Sequence, residues 1–312
     1  MKRRTFLTLG AAAAAVVPLS ACGANTNPLA PTTSPSPGAT GGAAAGGSVV
    51  VGSANFTESM VLAELYAQAM LARGVDASAR HGIGSREVYL RALRDRSVQM
   101  VPEYGGNLLQ YLDDENPAAT PEDIAAALAE VVGPDLAVLE VAEAANQDVY
   151  CVTKAYSDAQ GVTSLADLHK IAANAVLGGP AELKDRAYGP PGLEAIYRAK
   201  FKEFRTYDAL AVKVRDLTSG TIQVATFFTT DAAIKDNQLV MLADPEVMIL
   251  PQPVIPLVRA EVKNNAAAVD AVNAVQAELR TDDLIAMNKN VDSDRRSPAE
   301  AAAAWLKGKG LA

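Results

Sequence analysis

The chain has 312 residues, 49% of them apolar and 21% charged, the composition of a folded protein of about two domains rather than a disordered one. Its 28 basic and 36 acidic side chains give a net charge of −8, which excludes the basic stripe that nucleic-acid binding needs. Two cysteines and two histidines cannot build the common zinc clusters, so neither metal nor cofactor is expected.

At the N-terminus, Lys2, Arg3 and Arg4 precede an apolar stretch from Phe6 to about Val17, and Leu19-Ser20-Ala21-Cys22 follows. That order reads as a signal peptide over residues 1–21. The last four residues resemble a bacterial lipobox, which makes Cys22 the lipidated first residue of the exported protein. The apolar stretch is short for a transmembrane helix. Arg3-Arg4-x-Phe6-Leu7 also resembles a twin-arginine signal, so both that route and the Sec route stay open. Residues 23–47 are rich in Pro, Thr, Ser, Gly and Ala and carry no charge. They read, with Cys22, as a tether spanning on the order of 25–30 Å. The expectation is a folded body, a monomer, held by lipid at the outer face of the cell membrane. Cys22 being lipidated, no intrachain disulfide is expected.

The body over 48–312 alternates strand and helix. Ser48–Ser53 reads as a buried strand. Asn55 with Glu58 fits a capping-box-like helix start, and the helix runs to Gly74, a plausible stop. Strand 75–80, helix 85–95 and strand 98–102 follow. Later come strand 149–152, a helix beginning at Ser164, strand 175–178, helix 193–204, strands 221–228, 239–242 and 254–258, and helix 264–280. The tail 282–308 is helical in two pieces broken near 290–297. This alternation predicts an α/β body with mostly parallel sheets, and no repeat of fixed period is present.

Several catalytic signatures are missing. There is no P-loop and no Gly-x-Ser-x-Gly elbow. Gly82-Ile83-Gly84 begins like a dinucleotide fingerprint but lacks the third glycine. His81 and His169 sit in no ligand spacing. Cys151 lies in an apolar strand with no basic neighbour, the pattern of a core thiol rather than a nucleophile. An enzyme is therefore not expected.

Five segments, taken in order, resemble one family. They are Gly52-Ser53-Ala54-Asn55-Phe56-Thr57-Glu58, Gly82-Ile83-Gly84-Ser85-Arg86-Glu87, Val101-Pro102-Glu103-Tyr104-Gly105-Gly106-Asn107, Glu182-Leu183-x-x-Arg186-x-x-Gly189-x-x-Gly192-Leu193, and Thr226-Phe227-Phe228-Thr229-Thr230-Asp231. The family is the substrate-binding proteins of ABC importers for glycine betaine, choline, carnitine and proline. The resemblance implies a two-lobed periplasmic-binding-protein fold of type II. Lobe one would be 48–148 plus 253–312 and lobe two 149–252, with hinge crossovers near 147–150 and 251–254. It also implies a small-molecule solute and membrane permease subunits as partners.

Such solutes carry a trimethylammonium group without N–H donors, which the faces of aromatic rings attract. Many also carry a carboxylate, which suits Arg and the amides at helix starts. By resemblance, Tyr104 matches a cage tyrosine, Arg186 the carboxylate-binding arginine, and Phe228 a second cage position. Asn107 replaces a Thr that serves the ligand, and Ala54 replaces a Lys found in some members. Asn55, Thr57, Thr229 and Gln252 complete the candidate ligand-binding set. Two cage tyrosines are missing, where Val149 and Gln252 stand. Tyr150 adjoins the first but points to the opposite face by strand alternation. Tyr89 and Tyr188 are candidate replacement walls. Glu58 and Ser85 lie at helix starts facing the cleft, where capping alone would explain them. The alternatives are a receptor on the same fold for a non-betaine, for instance aromatic, solute, or a ligand-sensing surface lipoprotein not coupled to transport.

Overall fold

The computed structural model describes residues 48–312; the expected signal peptide, lipidated Cys22 and tether lie outside the described residues. The first run of elements is β1 (Val49–Ala54), α1 (Thr57–Ala72), β2 (Ala77–Gly84), α2 (Arg86–Arg94), β3 (Met100–Tyr104), α3 (Gly105–Leu112), α4 (Pro121–Val131) and β4 (Leu136–Val138). The second is β5 (Asp148–Thr153), α5 (Lys154–Gln160), β6 (Val176–Gly179), α6 (Pro190–Tyr197), β7 (Glu203–Thr206), α7 (Leu210–Thr218), β8 (Val224–Phe228), α8 (Ala232–Asp236) and β9 (Leu239–Met241). The chain then returns through β10 (Val254–Arg259), α9 (Ala266–Glu278), α10 (Thr281–Asp292) and α11 (Pro298–Lys309). These build two five-stranded sheets, β2-β1-β3-β10-β4 and β7-β6-β8-β5-β9.

The expectation of mostly parallel sheets needs correction, because both sheets are mixed. β1 pairs parallel with β2 and β3, and β6 with β7 and β8. β10 runs antiparallel to β3 and β4, and β5 antiparallel to β8 and β9. Connectivity is the cause. β10 arrives from the second sheet and β5 from the first, so each runs against the neighbours it joins. The two connecting segments lie side by side: the Asn146 N–H donates to the Gln252 carbonyl (3.0 Å) and the Val254 N–H to the Ala144 carbonyl (2.9 Å).

Helix α1 shows why the sequence pattern works. Val61, Leu62, Leu65, Tyr66, Ala69 and Met70 recur at helical spacing, and all are fully buried or nearly so. Burial of such a Val, Leu or Met contributes roughly 1.5–3 kcal/mol. The helix stops at Gly74, which takes φ +76°, as expected from the sequence. Its start is different. Phe56, not Asn55, is the N-cap residue, no side chain caps it, and Glu58 turns into the interior. The helix expected over 193–204 is also shorter. It ends at Tyr197 because Arg198 adopts a left-handed conformation, and the chain re-emerges as edge strand β7.

One buried side chain ties three elements of the first sheet's lobe together. The Gln276 amide donates to the carbonyls of Val254 and Glu140 (2.9 Å each) and accepts from the Tyr66 hydroxyl (2.9 Å). A Leu there would leave the buried Tyr66 hydroxyl without its acceptor and remove a donor from both carbonyls, of which Val254 keeps the Ala142 N–H. Gln276→Leu should lower unfolding stability by about 2–4 kcal/mol, read as a shifted urea midpoint with unchanged slope. An unshifted midpoint would contradict this assignment.

Candidate functional site

A cavity of about 350 Å³ lies between the two sheets, where β1, β3 and β8 pass into their following helices. Ligands in α/β folds gather at such carboxyl ends of strands. The wall comes from both sheets. Its centre is an aromatic group formed by Phe56, which sits 5.1 Å from Phe228 and 6.1 Å from Tyr104 between ring centroids, tilted 35° in each case. Tyr89, Tyr188 and Tyr207 add further ring surface.

Tyr104 is oriented by Glu58. This carboxylate accepts from the Tyr104 hydroxyl and the Asn146 amide on one oxygen (2.8 Å each), and from the Thr230 hydroxyl and the Asn288 amide on the other (2.7 Å each). The four donors come from β3, the first connecting segment, the turn after β8, and α10. Burial raises the pKa of Glu58, and the four hydrogen bonds oppose that rise. No cation pairs with Glu58 among the described residues.

The cavity arginines are already engaged. Arg86 forms a buried bidentate pair with Glu103 (2.9 and 2.8 Å), and the Tyr89 hydroxyl donates to the same carboxylate (2.8 Å). Arg186, from the second sheet's side, donates to Glu87 on α2 (2.7 Å) and lies 5.4 Å from the centroid of the Tyr111 ring. Glu87 is pulled down to about 2: burial opposes this, but the hydrogen bonds from Arg186 and Ser85 win. Three acids face the cavity near the rings. Burial raises Asp148, against a 2.6 Å hydrogen bond from Asn107. Burial pushes Asp231 up to about 6, against the Phe228 N–H at 3.0 Å and the charge of Lys213. Asp292 is likewise raised by burial while accepting from the Thr57 hydroxyl (2.6 Å).

Of the candidate ligand-binding residues, the cavity brings together Tyr104, Phe228, Arg186, Asn55 and Thr57. Tyr89, Tyr188, Glu58 and Ser85 also lie on the wall. Asn107, Thr229 and Gln252 do not, and each has a structural occupation instead. The Asn107 N–H donates to the Gln252 side-chain oxygen (2.9 Å), and the Gln252 amide returns a bond to the Asn107 side chain (2.8 Å). Gln252 is thus a buried clamp on the second connecting segment, and Asn107 acts one layer behind Asp148. Thr229 accepts from the Gln147 N–H (3.0 Å) and fastens the two strands at their crossover. Tyr150 is buried away from the cavity, its hydroxyl donating to the Tyr188 carbonyl (2.7 Å). Cys151 is a buried free thiol pushed up to about 12 by burial, as its apolar strand implied.

Sequence reasoning missed Phe56 as a cavity ring, and it missed Lys213, Tyr207, Asp148 and Asp231. Phe56 stood inside a segment read for its capping residues; the signal available was that an N-cap position leaves its side chain outside the helix. Two glycines of the recognised segments have plain geometric reasons. Gly84 takes φ +137° at the turn that delivers Ser85 and Arg86 to the wall. A Cβ on Gly192 would lie 1.9 Å from the Ala187 carbonyl oxygen, so only glycine permits that approach.

The family model that matches residues 47–308 is the substrate binding domain of ABC-type glycine betaine transport systems. The chain belongs to this family, and it is therefore an extracytoplasmic solute-binding component of an ABC importer that works with a permease. It is 26% identical over 280 residues to the glycine betaine-binding protein YehZ of Escherichia coli (strain K12), covering 84% of this chain and 90% of that one. It is 25% identical over 273 residues to a glycine-betaine-binding protein of Pseudomonas aeruginosa, covering 82% and 86%. A crystal structure of a glycine betaine/carnitine/choline ABC transporter superposes with a TM-score of 0.66 at 18% identity over 84% of this chain and 99% of that one, which shows the two-lobed α/β fold. Among the described residues no helix is long and apolar enough to cross a membrane.

Glu58→Gln would set an amide NH2 against two donors of the Glu58 cluster. The variant should fold but lose about 1–3 kcal/mol of stability in urea denaturation at pH 7. Unchanged stability would mean that the cluster does not hold the wall together.

Proposed function

We propose that this chain captures glycine betaine, or a close quaternary-ammonium solute such as choline, in the cavity between its lobes and delivers it to the permease. One observation carries the reading: Phe56, Tyr104 and Phe228 pack as a ring group inside a wall that also presents Asp148, Asp231 and Asp292. A trimethylammonium cannot donate a hydrogen bond, so it is held by ring faces and by long-range attraction to carboxylates. Each ring face contributes about 0.5–2 kcal/mol. Phe56 takes up part of the cage that the missing tyrosines leave vacant. The names of the relatives, both glycine betaine-binding proteins, support the same solute.

The moving units in this reading are 48–148 with 253–312, and 149–252, which close about the two paired connecting segments. The Arg186–Glu87 bond spans them. The body acts as a monomer, and Cys22 carries the lipid that keeps it at the outer membrane face, an assignment resting on the order of charged, apolar and Leu-Ser-Ala-Cys segments.

Isothermal titration at pH 7.5 should give saturable binding of glycine betaine. Phe56→Ala should weaken it roughly 2- to 30-fold. A folded protein that binds no quaternary ammonium would refute the reading. For the anchor, metabolic labelling with palmitate should mark the wild-type chain and not Cys22→Ala; equal labelling of both would contradict lipidation at Cys22.

A further inference from the structure

We infer that Lys213, in the first turn of α7, is the seat for the anionic end of a zwitterionic ligand, a position that the resemblance assigned to Arg186. The inference rests on the betaine-class reading of the cavity. Three cationic side chains line it: Arg86, Arg186 and Lys213. Arg86 has its fork filled by Glu103, and Arg186 has its charge met by Glu87 through one hydrogen bond. Lys213 is different. Among the described residues its ammonium makes no ion pair within 4.0 Å and no hydrogen bond, and its recorded partner is the ring of Phe227, 4.7 Å from the centroid. An ammonium carries three donors and no acceptor, and the half-buried Lys213 directs its donors to no protein acceptor among the described residues. A ligand carboxylate would meet them.

The surroundings fit this role. Burial lowers the pKa of Lys213, while Asp231, Asp148 and Cys151 oppose that. The two acids lie beyond ion-pair distance, so they favour the charged form without occupying its donors. Lys213 lines the same cavity as Phe56, Tyr104 and Phe228, so an anion-seeking group and cation-seeking rings face one ligand space.

Glycine betaine and choline share the trimethylammonium and differ in the carboxylate, so they separate this role from general packing. Lys213→Met keeps the stem and removes the charge. By isothermal titration it should raise Kd for glycine betaine at least 10-fold, the loss expected for a charge-assisted hydrogen bond. Choline affinity should be unchanged or tighter, since a positive charge has left the wall. Lys213→Arg should recover part of the betaine affinity, and circular dichroism checks that both variants are folded. Equal weakening for both ligands, or unchanged betaine affinity in Lys213→Met, would overturn the inference. If the wild-type protein bound neither ligand, the reading of the site beneath it would fall, and the inference with it.

Discussion

The structure depends on a buried carboxylate without a cation. Glu58 accepts four side-chain hydrogen bonds, two on each oxygen, from segments separated by up to 230 residues. Removing a carboxylate from water costs several kcal/mol unless its lone pairs are met. The arrangement is therefore most stable when Tyr104, Asn146, Thr230 and Asn288 are all in place. That requirement links the first sheet, a connecting segment, the turn after β8 and α10. It also fixes the Tyr104 hydroxyl and hence its ring, on which the packing with Phe56 depends.

Charge in the cavity follows a consistent division. The two arginines are neutralised by Glu103 and Glu87, neither of which lines the cavity. What remains on the wall is mostly acidic, with Lys213 the one cation among the described cavity-lining residues that is outside an ion pair. An acidic wall with ring faces attracts a permanent cation and offers no strong hydrogen bond to its methyl groups. The same desolvation that strengthens these fields raises Asp148, Asp231 and Asp292. Attraction for a cation is thus greatest when these acids are ionised.

Much of the scaffold was legible in the sequence. Runs such as Val254–Val258 bury both faces and so read as unbroken apolar segments. The strands that escaped notice, β4 and β7, are short and lie at sheet edges, where Glu203-Phe204-Arg205-Thr206 keeps polar residues toward solvent. Strand direction was misjudged because a local pattern does not say from which side the chain enters a sheet. In the site, Tyr104 and Phe228 could be placed by resemblance. Asn107, Thr229 and Gln252 could not be told from wall residues, since nothing local distinguishes a clamp behind the wall from a side chain on it. Glu58 read as a helix cap because a buried acid carries no local signal; its donors are distant in the chain. The scarcity of aromatic residues, 5% of the chain, pointed to a depleted cage, and Phe56 adds a third ring beside Tyr104 and Phe228 on the cavity wall.

The central claim is that the ring group of Phe56, Tyr104 and Phe228 receives the ligand's cationic end. A crystal structure with glycine betaine bound tests it most directly. The account requires trimethylammonium density in van der Waals contact with all three rings. Density elsewhere in the cavity, with the three rings untouched, would contradict it.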